Sequence, residues 1–258
     1  MVKKSKPAND NKALIYIVGE SPMVEEYAEI CSSHGYEVVV AWNSNPPSRL
    51  ESKSGIKVSE SIPKNCSLGI ELTNTDLAAK RKNLGKLDQS LPATSAILSS
   101  SVTVAATEQA GWIKGRHRLV GLSALPSLAQ RPMVEVAPTV FSPKETLEVV
   151  TTFFASLNKQ TEIVQDRVGM VLPRILCQLI NESAFALMED VASPRDIDTA
   201  MKLGVNYPLG PIEWAEKIGM KQVYAVLDAL HNDLREERYR PSPLLKQMAE
   251  SGEWWKRN

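Results

Sequence analysis

The sequence predicts an α/β domain built on a mostly parallel sheet, followed by an all-helical domain. Three observations carry this prediction. Short apolar, β-branched runs alternate with helical patterns through roughly the first two-thirds of the 258 residues. Near the N-terminus a strand, a helix and a strand fit within about 30 residues, as a βαβ unit requires. After Asp166 no strand pattern recurs.

Residues 1–11 are polar and basic with no apolar stretch, so they read as a disordered tail and not a secretory signal. Ala13–Val18 is an unbroken apolar run, which suits a strand buried on both faces. Gly19-Glu20-Ser21-Pro22 turns the chain into a helix over 23–34. Met23, Tyr27, Ile30 and Cys31 share its apolar face, and Gly35 stops it. Tyr36–Ala41 is the second strand, reached by a right-handed crossover. Residues 43–54 are a Pro-, Ser- and Asn-rich loop. Apolar runs at 68–72, 96–99, 119–122 and 133–137 predict further strands, with helices around 76–87 and 104–110. Ser142-Pro143-Lys144-Glu145 has the form of a capping box and predicts a helix over 143–158. Thr161–Val164 reads as the last strand.

The remainder is helical. A long helix over 169–190 places Leu172, Leu176, Leu179 or Ile180, and Leu187 at 3–4 spacing. Ser193 to Asp196 forms a second capping box. That helix is expected to end at Gly204 with a positive φ, and Pro208 and Pro211 fix the next turn. Helices over 211–218, 220–237 and from Ser242-Pro243 to Gly252 complete the chain. The expected domains are therefore 12–165 and 166–258.

Composition excludes several classes of function. Thirty basic and thirty acidic residues leave no basic face for nucleic acid. Cys31, Cys66 and Cys177 lie far apart, so neither a zinc site nor a disulfide framework is expected. No apolar run approaches the roughly 20 residues of a membrane span. A cytoplasmic protein is the expectation.

Specific blocks in the second half carry a family resemblance. Residues 196–204 (DIDTAMKLG), 207–211 (YPLGP) and 239–245 (YRPSPLL) resemble, in order and spacing, the 3-hydroxyacyl-CoA dehydrogenase family. The strand, turn and helix of 14–35 and the blocks at 118–122 and 133–136 match it more weakly. The resemblance implies a Rossmann-like N-terminal domain and dimerisation through the helical domain. It also implies oxidation of an L-3-hydroxyacyl-CoA by NAD, with a histidine base oriented by a glutamate.

Ser123 stands at the histidine position, and Glu135 falls 12 residues later at the glutamate position. An unassisted serine hydroxyl is too weak a base for this work. His117 lies before the strand among arginines, His34 closes the first helix and His231 lies in a late helix, and no motif places any of them at the site. The cofactor turn is degraded too. Gly19 keeps the first glycine position of the dinucleotide fingerprint, while Ser21 and Val24 replace the second and third. Pro22 removes an N–H, Glu20 adds negative charge, and Trp42, with Asn43 beside it, replaces the acid expected at the end of the second strand. Proline (Pro173) also replaces the family's substrate-contacting asparagine, although Arg174 is kept, and the helical hairpin between the second and third strands is reduced to a loop.

These departures predict a family member without dehydrogenase activity, with no cofactor expected and NAD as the alternative. It would act as a binding or regulatory homodimer, with an acyl-CoA-like molecule as its candidate ligand and no metal. A divergent NAD-dependent oxidoreductase using another base is the runner-up. A scaffold using the Trp254–Trp255 end is the third reading.

Overall fold

The computed structural model describes residues 13–44 and 55–252, and the 1–11 tail and the Trp254–Trp255 pair lie outside that range. Among the described residues eight strands form one sheet: β1 (Leu14–Gly19), β2 (Glu37–Trp42), β3 (Ile56–Val58), β4 (Cys66–Leu72), β5 (Ala96–Ser100), β6 (Leu119–Leu122), β7 (Met133–Pro138) and β8 (Gln160–Ile163). Their order is β3-β2-β1-β4-β5-β6-β7-β8. Every adjacent pair is parallel except β6 and β7. The chain reverses its direction of travel across the sheet between β1 and β4. Open α/β sheets bind ligands in the crevice beyond the strand ends at such a point.

Helices α1 (Met23–Ser33) and α4 (Lys144–Ser156) share one apolar cluster with the sheet, including Ile15, Ile17, Tyr27, Val40, Leu122 and Phe154. The opposite face packs under α2 (Leu77–Ser90) and α3 (Ala106–Ala110) through Tyr16, Ile97, Leu84 and Leu87. Unbroken apolar runs became central strands because both faces are covered.

The chain then forms α5 (Leu172–Met188), α6 (Pro194–Val205), α7 (Pro211–Ile218), α8 (Met220–Leu234) and α9 (Pro243–Ser251). Their core, with Leu176, Ile180, Val223 and Leu227, extends to Val102, Leu125 and Leu128 from the sheet domain's loops. The two halves therefore share one apolar junction.

Local signals differ from the sequence expectation in three places. β3 is a short edge strand inside the stretch expected to be loop. Ser142 does not cap α4: its hydroxyl donates to the Leu119 carbonyl at 2.7 Å, drawn away by β6. Gly204 does not end α6; Asn206 adopts the left-handed conformation there, with φ 57°. Asparagine tolerates that region better than most residues. The caps at Ser193 and Ser242 form as expected, accepting from the Asp196 and Leu245 N–H groups.

One buried pair ties β6 to α2. Arg118 donates to Asp88 Oδ1 at 2.9 Å and to the carbonyls of Asp88 and Pro92. Asp88 also accepts from the Lys114 and Gly115 N–H groups. Burial alone would raise the Asp88 carboxyl, but the Arg118 guanidinium and these N–H groups hold it below its usual value. A depressed folded-state value gives stability that is complete above the unfolded value, about pH 4, and lost as pH falls through the folded value. Asp88→Asn is expected to lower stability at neutral pH by about 1.5 kcal/mol. In denaturant melts against pH, its deficit relative to wild type shrinks as the medium becomes acidic.

Candidate functional site

Ser123 and Glu135 sit on facing positions beyond β6 and within β7. The Ser123 N–H donates to the Glu135 carbonyl at 3.0 Å, and both residues are buried. The expected spacing thus brings the two positions together. The carboxylate, however, is occupied. Glu135 Oε2 accepts from the Val171 N–H at 3.0 Å, and Oε1 from the Leu172 N–H at 2.7 Å. These amides open α5, whose N-terminus has no other side-chain cap. An anion there also meets the positive end of the helix dipole. The cavity against Ser123 and Glu135 holds about 10 Å³, space for a single water at most.

No histidine reaches this place. His117 lies in a single 3-10 turn over Arg116–Arg118 ahead of β6 and is exposed, while Ser123 follows the far end of that strand and is buried. The His34 ring lies at the C-terminal end of α1, against the Ile30 carbonyl and Asn158. His231 lies in the last turns of α8. Arg174 stacks on Tyr239, its Nε donating to the phenol oxygen at 3.1 Å, while Pro173 is buried in the first turn of α5.

The turn after β1 lies at the switch point. Gly19 has φ 154°, and an added Cβ would come within 2.4 Å of the Leu72 carbonyl oxygen, so glycine is required by the approach of β4. Ser21 and Trp42 both donate to Glu25 Oε1, at 2.6 and 3.2 Å. Glu25 Oε2 is buried with no hydrogen-bond partner. Sequence reasoning did not single out Glu25. The signal was available in its position four residues after Ser21, one helical turn on.

Glu20 faces away from this turn. One oxygen accepts from the Thr75 N–H, the Thr75 hydroxyl and the Asp76 N–H, and the other from Gln222 Nε2 of α8 at 2.8 Å. Gln222 Oε1 in turn accepts from Asn74 Nδ2 at 2.8 Å. Gln222 therefore latches the helical domain to the crevice. Beside the latch, a cleft of about 410 Å³ opens between the domains, lined by residues including Thr75, Leu77, Thr103, Lys221 and Tyr224. Among the described residues no cluster of side chains suits a metal, and no helix is long and apolar enough to cross a membrane.

A mostly parallel, doubly wound sheet with a glycine turn at its switch point, followed by a helical domain, is a Rossmann-like architecture, the class in which nucleotides bind at the switch-point crevice. Comparison with known proteins narrows this. Residues 48–167 match the family model of the 3-hydroxyacyl-CoA dehydrogenase NAD binding domain, and residues 169–258 match that of its C-terminal domain. The chain belongs to the 3-hydroxyacyl-CoA dehydrogenase family.

It is 31% identical over 183 residues to a probable 3-hydroxybutyryl-CoA dehydrogenase of Bacillus subtilis, covering 71% of this chain and 64% of that protein. A 3-hydroxybutyryl-CoA dehydrogenase of Bradyrhizobium diazoefficiens is 31% identical over 187 residues, covering 72% of this chain and 64% of that protein. The chain thus spans somewhat less than two-thirds of the length of these relatives. The crystal structure of (S)-3-hydroxybutyryl-CoA dehydrogenase from Ralstonia eutropha has a TM-score of 0.78 and 27% identity, covering 94% of this chain and 95% of that one.

The match to the NAD binding domain overturns the expectation that no cofactor is bound. Two arguments behind that expectation also fail in the structure. The Glu20 carboxylate is turned to the Thr75 and Asp76 N–H groups, the Thr75 hydroxyl and Gln222 Nε2, which solvate its charge away from the turn. Val24 is accommodated, fully buried in the cluster that joins α1 to the sheet. The glycine turn at the β1–β4 switch point lies where the pyrophosphate of a dinucleotide would pass.

Proposed function

We propose that this chain is a binding member of its family: a homodimer that holds NAD at the β1–β4 crevice but does not oxidise 3-hydroxyacyl-CoA. The observation that supports this reading is the state of Glu135. Its carboxylate caps α5, and serine stands where a base is needed. NAD, when bound, supplies a hydride acceptor, with Gly19, Ser21 and Trp42 as the residues to hold it. Neither Ser123 nor the capping Glu135 is placed to take up a hydroxyl proton. The interdomain cleft offers room for an acyl-CoA-like ligand. A thermal melt tests the binding half. NAD is expected to raise the midpoint with the logarithm of its concentration above Kd, and no shift at millimolar NAD would refute it.

The dimer reading is supported by apolar side chains left exposed on the helical domain. Ile175 is 55% exposed and Leu203 82%, with Val171, Val205 and Tyr207 also open to solvent. A groove of about 390 Å³ lined by Leu172, Ile175, Leu179, Tyr207 and Trp214 lies in the same region. Light scattering is expected to give twice the mass of the chain, and Ile175→Asp with Leu203→Asp to give a folded monomer. A monomeric wild type would contradict the reading.

A further inference from the structure

A dinucleotide lies across the switch point of a doubly wound sheet, one nucleotide over each half and the pyrophosphate at the turn between them. The two halves differ in this chain. On the β1–β2 side the way is open. Ser21 and Pro22 at the start of α1 are exposed, and a cavity of about 130 Å³ lies beside Trp42 and Asn43, with Lys82 on its wall. On the β4–β6 side the chain fills the space itself. Thr73 and Asn74 after β4, Ser100, Ser101 and Val102 at the end of β5, and Ser123, Ala124 and Leu125 after β6 are all buried. Val102 and Leu125 are part of the helical domain's core, which roofs these strand ends. The Gln222 latch stands between the two halves. The Glu20 carboxylate follows the glycine of the turn and crosses to the loop after β4, where it accepts from the Thr75 and Asp76 N–H groups and from Gln222 Nε2. Asn74 Nδ2 donates to Gln222 Oε1 and to the Ala124 carbonyl, at 2.8 and 2.9 Å, while Asn74 Oδ1 accepts from the Ser100 hydroxyl at 2.6 Å. One connected set of hydrogen bonds therefore joins the β1 turn, the ends of β4, β5 and β6, and α8. Asn74 and Thr75 also line the interdomain cleft, so the latch separates the turn from that cleft.

We propose that the Glu20–Gln222–Asn74 latch shuts the nicotinamide half of the dinucleotide track, so that the chain recognises an adenosine diphosphate moiety and makes no contact with the rest of NAD. The proposal rests on the NAD-binding reading and narrows it. The ligand class is an adenosine diphosphate, alone or carried by a larger nucleotide of which NAD is one. A nicotinamide ribose entering over β4 and β5 has to break the bonds of Gln222 and Asn74, and both side chains are buried. Buried polar groups left without partners make that entry costly. The adenosine side asks for no such opening.

Calorimetric titration of the full chain with NAD, ADP-ribose and ADP tests this. Wild type is expected to bind all three within about threefold of one another, since the parts by which they differ touch nothing. Gln222→Ala removes the α8 end of the latch. It is expected to tighten NAD about fivefold, the equivalent of one net hydrogen bond that entry no longer breaks. Its affinity for ADP is expected to stay at the wild-type value, which also verifies that the variant is folded. Wild type that binds NAD about tenfold or more tightly than ADP overturns the proposal and leaves NAD binding standing. So does a Gln222→Ala chain whose preference between NAD and ADP equals that of wild type. The wild-type comparison needs no variant, so the proposal stays open to refutation even where Gln222→Ala fails to fold. Absence of binding of both NAD and ADP by wild type overturns the NAD reading itself, so the two failures are told apart.

Discussion

Lys80→Met is expected to destabilise the chain by about 3–5 kcal/mol, the cost of leaving one member of a buried ion pair without its partner. Lys80 Nζ donates to Glu71 Oε2, with side chains 1% and 0% exposed, and to the Ser100 carbonyl at 2.8 Å. It also lies 3.3 Å from Ser99 Oγ. Asn83 reaches the other Glu71 oxygen at 3.4 Å. The network sits at the ends of β4 and β5, so it bonds α2 to the strands that form the crevice. Removing the cation leaves Glu71 charged and buried with only the neutral donors Ser99 and Asn83, or forces it to take a proton. In urea melts the midpoint falls steeply, and the thermal midpoint drops by about 10 °C for a chain of this size. Pairing Lys80→Met with Glu71→Leu is expected to recover much of the loss, because the desolvation penalty goes with the charges. A single variant within about 1 kcal/mol of wild type would show that the pair is not sealed from water.

Glu135→Gln is expected to cost about 2 kcal/mol, a charge-assisted pair of bonds and a helix-dipole contact. The carboxylate takes both N–H groups of Val171 and Leu172, while an amide offers one acceptor and turns an NH2 toward the second. The drop should appear in denaturant melts with no ligand present. Near-zero change would mean that Glu135 is not a structural cap, and would reopen its reading as the partner of a base.

The fold was legible where periodicity is long and both faces are buried. The runs at β1, β2 and β4 to β7 are predominantly apolar segments, and the cap at Ser193 and the breaks at Gly219 and Gly252 are local chemistry. What was illegible depended on distant partners. Ile56–Val58 pairs only on an edge, three residues being too few for a period. Ser142 chose a β6 carbonyl over its own helix. The Ser123–Glu135 juxtaposition followed from spacing and resemblance. The use of Glu135 did not, because Val171 and Leu172 lie 36 and 37 residues further along. Glu20 looked hostile to an anion in the sequence, since only the folded chain shows Gln222 reaching it from 202 residues away. That reliance on the turn's local sequence explains why the cofactor expectation needed correction.

On the proposed reading, a serine beside an occupied carboxylate leaves the hydroxyl proton with no acceptor. The direct measurement is NADH consumption by purified wild-type chain with acetoacetyl-CoA at saturating NADH. The expected rate equals that of buffer alone. NADH loss that scales with protein concentration and produces 3-hydroxybutyryl-CoA would contradict it.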